Sequence, residues 1–157
     1  RDGDLWLERP GEEPVQLTTD AQPNSTWRRQ VRFSPDGRFF LARKIDAPQK
    51  HPIHMLDIMP DDQVEPILQT HQYLKPGDKI ARTHPAVFEV ATGRRIDLDA
   101  ELAPNPWSIK EFSWHPEEPR VRMLYNQRGH QVLRLLEIDA ISGETTTVSP
   151  SRSSPGT

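Results

Sequence analysis

The chain has 157 residues, enough for one domain with a modest core, and its 20 Lys and Arg against 23 Asp and Glu leave a formal net charge of −3. So weak a field gives no general attraction to nucleic acid or to an acidic membrane surface, and no apolar run approaches the roughly 18 residues of a membrane span. The absence of cysteine excludes a disulfide scaffold and thiolate metal sites, and leaves the redox compartment open. The sequence opens at Arg1 with neither a methionine nor an apolar leader, so any targeting signal is expected to have been removed or to lie outside it. Its 16 prolines are about twice the usual share and leave little room for long helices.

Short strands and turns follow one another along the chain. "DLWL" (Asp4 to Leu7) alternates, is bounded by Gly3 and by Pro10-Gly11, and predicts a strand and a turn from which "PVQLT" (Pro14 to Thr18) returns. "RRQVRF" leads into Ser34-Pro35-Asp36-Gly37 and "RFFLAR" leaves it. "FFLA" (Phe39 to Ala42) is apolar at successive positions, which predicts a strand covered on both faces. "IHMLDI" and "EPILQT" make a further pair around "MPDDQ". "AVFEV" (Ala86 to Val90) and "RRIDL" (Arg94 to Leu98) flank a short connection in which Gly93 supplies a positive φ. "IKEFSW", "VRMLYNQ", "VLRLLEID" and "ETTTV" complete the strands. The Ser/Pro-rich tail, residues 149–157, is expected to be flexible.

Ser34-Pro35-Asp36-Gly37 has two readings, a nucleophile in a strained bend or a corner between strands. A hydrolase elbow needs G-x-S-x-G, and Ser34 stands between Phe33 and Pro35; no such motif occurs in the chain. The residues do suit a type I turn, with Pro35 presetting φ at the second position and Gly37 at the fourth. The corner is the expected structure.

The elements recur. "VFEVATGRRIDL" resembles "RLLEIDAISGETTTV", with Gly93 and Gly143 separated by 50 residues. "VRFSPDGRFFLAR" resembles "KEFSWHPEEPRVRMLY", with Pro35 and Pro116 separated by 81. The unequal intervals predict one insertion, placed at Gln69 to Pro85. A repeat of roughly 40 to 50 residues built from about four strands marks a β-propeller blade, whose sheet has two apolar faces and needs a neighbour on each. The expected fold is therefore all-β, a partial propeller of about three to four four-stranded antiparallel blades over residues 1–148. Uncovered faces of such an arc would invite self-association.

"DGDLWL" with "QLT", then "FSPDGRFFLAR", "YLKPGD" (Tyr73 to Asp78), "PAVFEVATG", "EFSW" and "NQRGHQVLRLLEIDAISGE" form an ordered set over Gly3 to Val148. This set resembles the N-terminal propeller of the dipeptidyl peptidase IV branch of the prolyl oligopeptidase serine peptidases. The resemblance implies a substrate-gating propeller whose Ser-Asp-His triad belongs to a separate α/β-hydrolase domain, a peptide substrate, an extracytoplasmic or periplasmic setting, and no cofactor. The chain alone is then expected to be non-catalytic, with the missing hydrolase domain and the remaining blades as its partners. The family's propeller also carries a pair of adjacent glutamates that grips a peptide amino terminus. The corresponding interval here, Thr18 to Gln30, holds only Asp20 as an acid, so no substrate residue carries over. The runner-up reading is a protein-binding propeller similar to periplasmic TolB-like proteins, where Ser-Pro-Asp-Gly also recurs.

Other candidates are weighed one by one. Trp27 and Arg28 in "WRRQVR" fall in the interval where the family places substrate contacts, and are candidate substrate-binding residues by location only. An Arg-Trp mixture also suits bases or phosphate, but the near-neutral chain favours a solvated edge with Trp27 packing. Trp6, Trp107 and Trp114 read as packing aromatics. Glu12-Glu13 and Glu117-Glu118 sit in turns and read as solvated charges. His51 and His54 lack the spacing of a metal site and read as a strand-end pair. Tyr73 and Lys75 in "YLKPGD" belong first to a turn. No catalytic, metal or cofactor residue is assigned.

Overall fold

The computed structural model describes residues 2–58, 61 and 65–148, and every regular element among them is a β-strand. The predicted flexible tail lies outside the described residues. β1 (Trp6–Leu7) and β2 (Val15–Gln16) pair across the Pro10-Gly11 turn. β3 (Ser25–Trp27) and β4 (Arg32–Phe33) divide one strand position between them, and both pair with β5 (Phe39–Asp46). β6 (His51–Asp57) and β7 (Ile67–Tyr73) form a hairpin. β8 (Arg82–Glu89) returns to β5 and carries β9 (Arg95–Asp97) on its other edge. β10 (Pro106–Trp114), β11 (Arg120–Gln127), β12 (Leu133–Asp139) and β13 (Thr145–Thr147) then run as an antiparallel meander.

These sheets are a partial propeller, with no sheet closed on itself. Two blade sheets are complete, β3/β4-β5-β8-β9 and β10 to β13, and β1–β2 is a hairpin of its own. The yield of complete blades is lower than length alone predicts, because Ala47–Ala81 fold as a separate unit that contributes no strand to either blade. That segment also corrects the position of the insertion, expected at Gln69 to Pro85. β5 and β8 pair without a gap from Phe39↔Glu89 to Asp46↔Arg82, so everything between Asp46 and Arg82 is excursion. Within the excursion, His51 Nε2 meets Asp78 Oδ1 at 3.1 Å and Lys75 N–H donates to Asp78 Oδ2 at 2.7 Å, which makes "YLKPGD" a braced turn.

The predicted two-sided burial of "FFLA" is borne out, and it organises the core. Phe39 and Leu41 point with Val87 and Ile96 into one cluster, against Val121, Met123, Tyr125, Leu136 and Ile138 of the second blade. Phe40 and Ala42 point the other way with Trp27, Ala86 and Phe88, and this second cluster is joined by Leu5, Leu17 and Val31. Phe40 and Phe88 stack at 5.2 Å, and Trp27 meets Phe88 edge-on at 5.6 Å. Period-two alternation alone produces this division, because successive residues of a strand face opposite sides.

The internal repeat is visible in matching contacts. At the Ser34 corner, Ser34 N–H donates to Phe39 O at 2.8 Å; at the His115 corner, His115 N–H donates to Arg120 O at 2.8 Å. Phe39 and Arg120 are therefore equivalent, as are Leu41 and Arg122, and through the registers Val87 and Glu137. At positions where the first blade carries apolar residues, the second carries an ion network. Arg122 Nε lies 2.6 Å from Glu137 Oε2, and Arg120 Nη1 lies 3.4 Å from Glu137 Oε1. Trp114 donates from Nε1 to Arg32 O at 2.9 Å and ties the corners of the two blades together. Trp107 departs from its expected packing role: it is 44% exposed, with the His130 ring edge-on at 5.0 Å.

Leu41 is 2% exposed at the centre of the inter-blade cluster. We expect Leu41→Ala to cost about 2–5 kcal/mol in chemical denaturation. Leu133→Ala, at a position 64% exposed, should change stability by less than about 0.5 kcal/mol.

Candidate functional site

The interval Thr18 to Gln30 is held from both ends. Thr18 donates from Oγ1 to Asp4 Oδ1 at 2.8 Å and accepts from Leu5 N–H at 2.9 Å, while Ala21 N–H donates to the same Asp4 oxygen at 3.1 Å. This clasp delivers Asp20 to the end of the first blade. There the Asp20 carboxylate accepts hydrogen bonds from Trp27 Nε1 at 2.9 Å, Lys44 Nζ at 2.8 Å and Arg95 Nη1 at 3.1 Å. Arg95 reaches back to Asp97 at 2.8 Å, and its guanidinium lies 4.8 Å from the Trp27 ring centroid. β3, β5 and β9 each contribute one partner, so the cluster staples three strands of one sheet.

Burial pushes the Asp20 carboxyl up, but the hydrogen bonds from Lys44, Trp27 and Arg95 outweigh it and hold the group well below the usual carboxylate range. Arg95 is likewise held in its charged form: burial opposes the charge, and Asp97 and Asp20 together overcome that opposition. Nearby Asp46 accepts from Ser25 Oγ at 2.5 Å and meets His84 Nε2 at 2.7 Å. Burial raises its pKa, and these two bonds bring it below the ordinary value.

Beside the cluster opens a cleft of about 360 Å³. Lys44, His84, Arg95 and Asp97 line it together with the apolar residues Ala103 and Ile109. The cleft combines paired charges with an apolar wall.

The structure separates the two residues singled out by location. Trp27 is only 5% exposed and belongs to the core beneath the cluster. Arg28 is exposed, and its backbone N–H donates to Arg43 O at 2.8 Å. Asp20 is the residue whose importance sequence reasoning missed. Its acid stood out in the interval, but Lys44 and Arg95 lie 24 and 75 residues away.

The remaining hydroxyl and imidazole candidates are braces. Ser34 is buried; its Oγ donates to Asp36 Oδ1 at 2.6 Å and accepts from Phe39 N–H at 3.1 Å. His115 Nδ1 accepts from the N–H groups of Glu117 and Glu118 at 3.2 and 3.1 Å. Glu118 pairs with Arg120, and Glu12 with Arg9. His54 Nδ1 meets Thr70 Oγ1 at 3.0 Å, and among the described residues no group of three or more His, Cys, Asp or Glu gathers around a metal-sized space.

A sequence profile of the family described as "Dipeptidyl peptidase IV (DPP IV) N-terminal region" matches residues 1–156. The chain belongs to this family. Among solved structures, the dipeptidyl peptidase 4 of Porphyromonas gingivalis superposes with a TM-score of 0.64 at 16% identity, over 94% of this chain and 23% of that one. A putative dipeptidyl aminopeptidase IV from Bacteroides ovatus ATCC 8483 superposes with a TM-score of 0.60 at 18% identity, over 84% of this chain and 20% of that one. The chain thus spans less than a quarter of the length of either DPP IV-like neighbour. At such identities the likeness is one of fold. No curated protein matches the chain.

Because the folded-state pKa of Asp20 is depressed, its stabilisation is present above the ordinary value of 3.8 and is lost as the pH falls through the folded value. Asp20→Asn is expected to be less stable than the wild type at neutral pH, with the gap narrowing progressively as the pH falls below 3.8; thermal melts across pH 2 to 7 measure this. Trp27→Ala is expected to cost about 3–5 kcal/mol, and Trp27→Phe less, since the phenyl ring keeps most of the packing and loses only the bond to Asp20.

Proposed function

We propose that the chain is a non-catalytic propeller portion of a DPP IV-like serine peptidase, and that it controls which peptides reach a hydrolase site elsewhere in the longer protein. The observation that carries this reading is the family match across residues 1–156. The braced states of Ser34 and His115 support the non-catalytic part, since nucleophilic catalysis needs a free hydroxyl within reach of a base and an oxyanion hole. Two blades that share one apolar core make a stiff wall, and a stiff wall discriminates by size: it passes an extended peptide and rejects a folded domain.

Within this reading the peptide is the substrate, and the hydrolase domain and further blades are the partners. Recognition of a peptide amino terminus by the interval Thr18 to Gln30 has little basis here. Its one acid, Asp20, already holds three donors, so an incoming ammonium group would have to displace Lys44 or Arg95. Arg28 is the exposed side chain of that interval best placed to meet a peptide carbonyl or carboxylate.

The test compares the chain with the longer protein in hydrolysis of a chromogenic peptide anilide. The chain alone should be inert, and the longer protein should cleave the anilide, be blocked by a serine-directed inhibitor and leave a folded protein intact. Arg28→Ala in the longer protein should raise KM by about fivefold to tenfold with little change in kcat. Hydrolysis by the chain itself, or a longer protein without a serine-dependent activity, would overturn the reading.

A further inference from the structure

The cleft at the end of the first blade holds a cation that the fold leaves unmatched. Several arginines of the chain are engaged by main-chain carbonyls: Arg9 donates to Val90 O, Arg32 to Phe112 O, Arg94 to Ala140 O and Arg134 to Leu102 O. Of the cations that line the cleft, Lys44 and Arg95 are held by Asp20, and His84 meets Asp46. Arg82 lines the same space and is exposed, and its guanidinium makes no ion pair or hydrogen bond among the described residues. Its cross-strand neighbour Asp46 is already occupied by Ser25 and His84.

The opposite wall, drawn from residues 98–106, is fixed in place. Leu102 O accepts from Arg134 Nη1 at 2.9 Å, Pro104 O from the Tyr125 hydroxyl, and Asn105 O from Arg128 N–H at 3.0 Å. These carbonyls are turned to the second blade, so what the cleft receives from this wall is the Asn105 side chain and the apolar surface of Leu98, Ala103, Pro104 and Pro106. Two prolines lock the backbone on either side of Asn105, which itself stands at φ 44°. A wall rich in carbonyl oxygens would repel an anion, and this one does not.

The charge of the lining agrees. Lys44, Arg82 and Arg95 stand against one acid, Asp97, which Arg95 holds at 2.8 Å. Asp20 and Asp46 do not line the space, and each already has several partners: Trp27, Lys44 and Arg95 for Asp20, Ser25 and His84 for Asp46.

We propose that this cleft binds the carboxylate of a small acid or terminal residue with an apolar side chain. Arg82 takes the two carboxylate oxygens through its planar fork, and Leu98, Pro104 and Pro106 receive the apolar part. A guanidinium presents paired N–H donors in the geometry that a carboxylate accepts, and it is weakly hydrated, so the contact costs little to dry. Lys44 and Arg95 stay on Asp20 and contribute field without contact. The volume of about 360 Å³ suits a molecule the size of one acylated amino acid. A free N-acyl amino acid and the last residue of a peptide offer the same chemistry. No hydrolytic step enters the proposal, which stands apart from the peptidase reading.

The probes are N-acetyl-phenylalanine, its uncharged amide, phenethylamine, and the peptide Gly-Gly-Gly-Phe with a free carboxyl end. Each is titrated into the whole chain and followed by amide NMR shifts. The acid should bind saturably with a Kd of about 0.1–1 mM and move the resonances of Thr83, His84 and Asn105. The uncharged amide should bind at least about tenfold more weakly. Arg82→Gln should weaken the acid by at least about tenfold, and Arg82→Lys by about threefold, because an ammonium keeps the charge and loses the fork. Arg82 is exposed, so both variants should melt with the wild type. Asn105→Gly, which tolerates the positive φ, should weaken binding about twofold to threefold. Trp107→Ala removes an exposed aromatic outside the lining and should leave binding unchanged.

Tighter binding of the peptide than of the acetylated amino acid identifies a chain end as the ligand, and equal or weaker binding identifies the small acid. Equal affinity for acid and amide, wild-type affinity in Arg82→Gln, or shifts confined to other parts of the chain would overturn the proposal. So would a lack of saturation up to about 10 mM. Displacement of the acid by millimolar inorganic phosphate rejects it too, since the site would then take any anion. Tighter binding of phenethylamine than of the acid would place the contact on Asp97 and reject the assignment of Arg82.

Discussion

The pairing of β5 with β8 places apolar side chains on both faces of one sheet, and a sheet of that kind cannot be stable in water with a neighbour on one side only. Phe39 and Leu41 need the second blade; Phe40 and Ala42 need Trp27, Leu5 and Leu17. Once that requirement is imposed, the remaining features follow. The corners must be tight to bring each blade back on itself, and the arginines of successive turns must reach across to the next blade's carbonyls. Trp27 must be buried deeply enough that its indole N–H needs a partner, which Asp20 supplies.

This dependence gives the Asp20 cluster its character. Acid, indole, ammonium and guanidinium satisfy one another, so the local electrostatics serve cohesion. The interval Thr18 to Gln30 is spent on holding β3 to β5 and β9. The Asp20 carboxylate is thus already satisfied by three donors.

Much of the blade pattern was legible in the sequence. Ser34-Pro35-Asp36-Gly37 predicts its corner because each residue suits one turn position, and "FFLA" predicts two-sided cover because no polar residue interrupts it. The 50-residue spacing of Gly93 and Gly143 reflects turns with φ of 74° and 79° at those positions, which other residues adopt only under strain. The insertion was misplaced for a physical reason. β6 and β7 carry the same kind of alternation as blade strands, and only the continuous β5–β8 register shows that they lie outside the blade. Trp107 departs for another reason: an aromatic in a strand predicts packing, but Trp107 lies in the register shift between Pro106 and Ser108 on β10 and is left 44% exposed. The partners of Asp20 were hidden because they meet it through the sheet and not along the chain.

The ion network on the second blade stands where the first blade has its apolar interlock. Glu137 is buried to 7% exposure and already neutralised by Arg120 and Arg122. A sheet that came to rest on it would gain little from excluding water and would first have to strip water from the arginines. The two sides of this blade thus differ in kind: one is sealed by oil-like contact, the other by charges that remain content in solvent. Any further layer laid against the Glu137 face would have to desolvate Arg120 and Arg122, whereas the opposite face is already packed dry against the first blade.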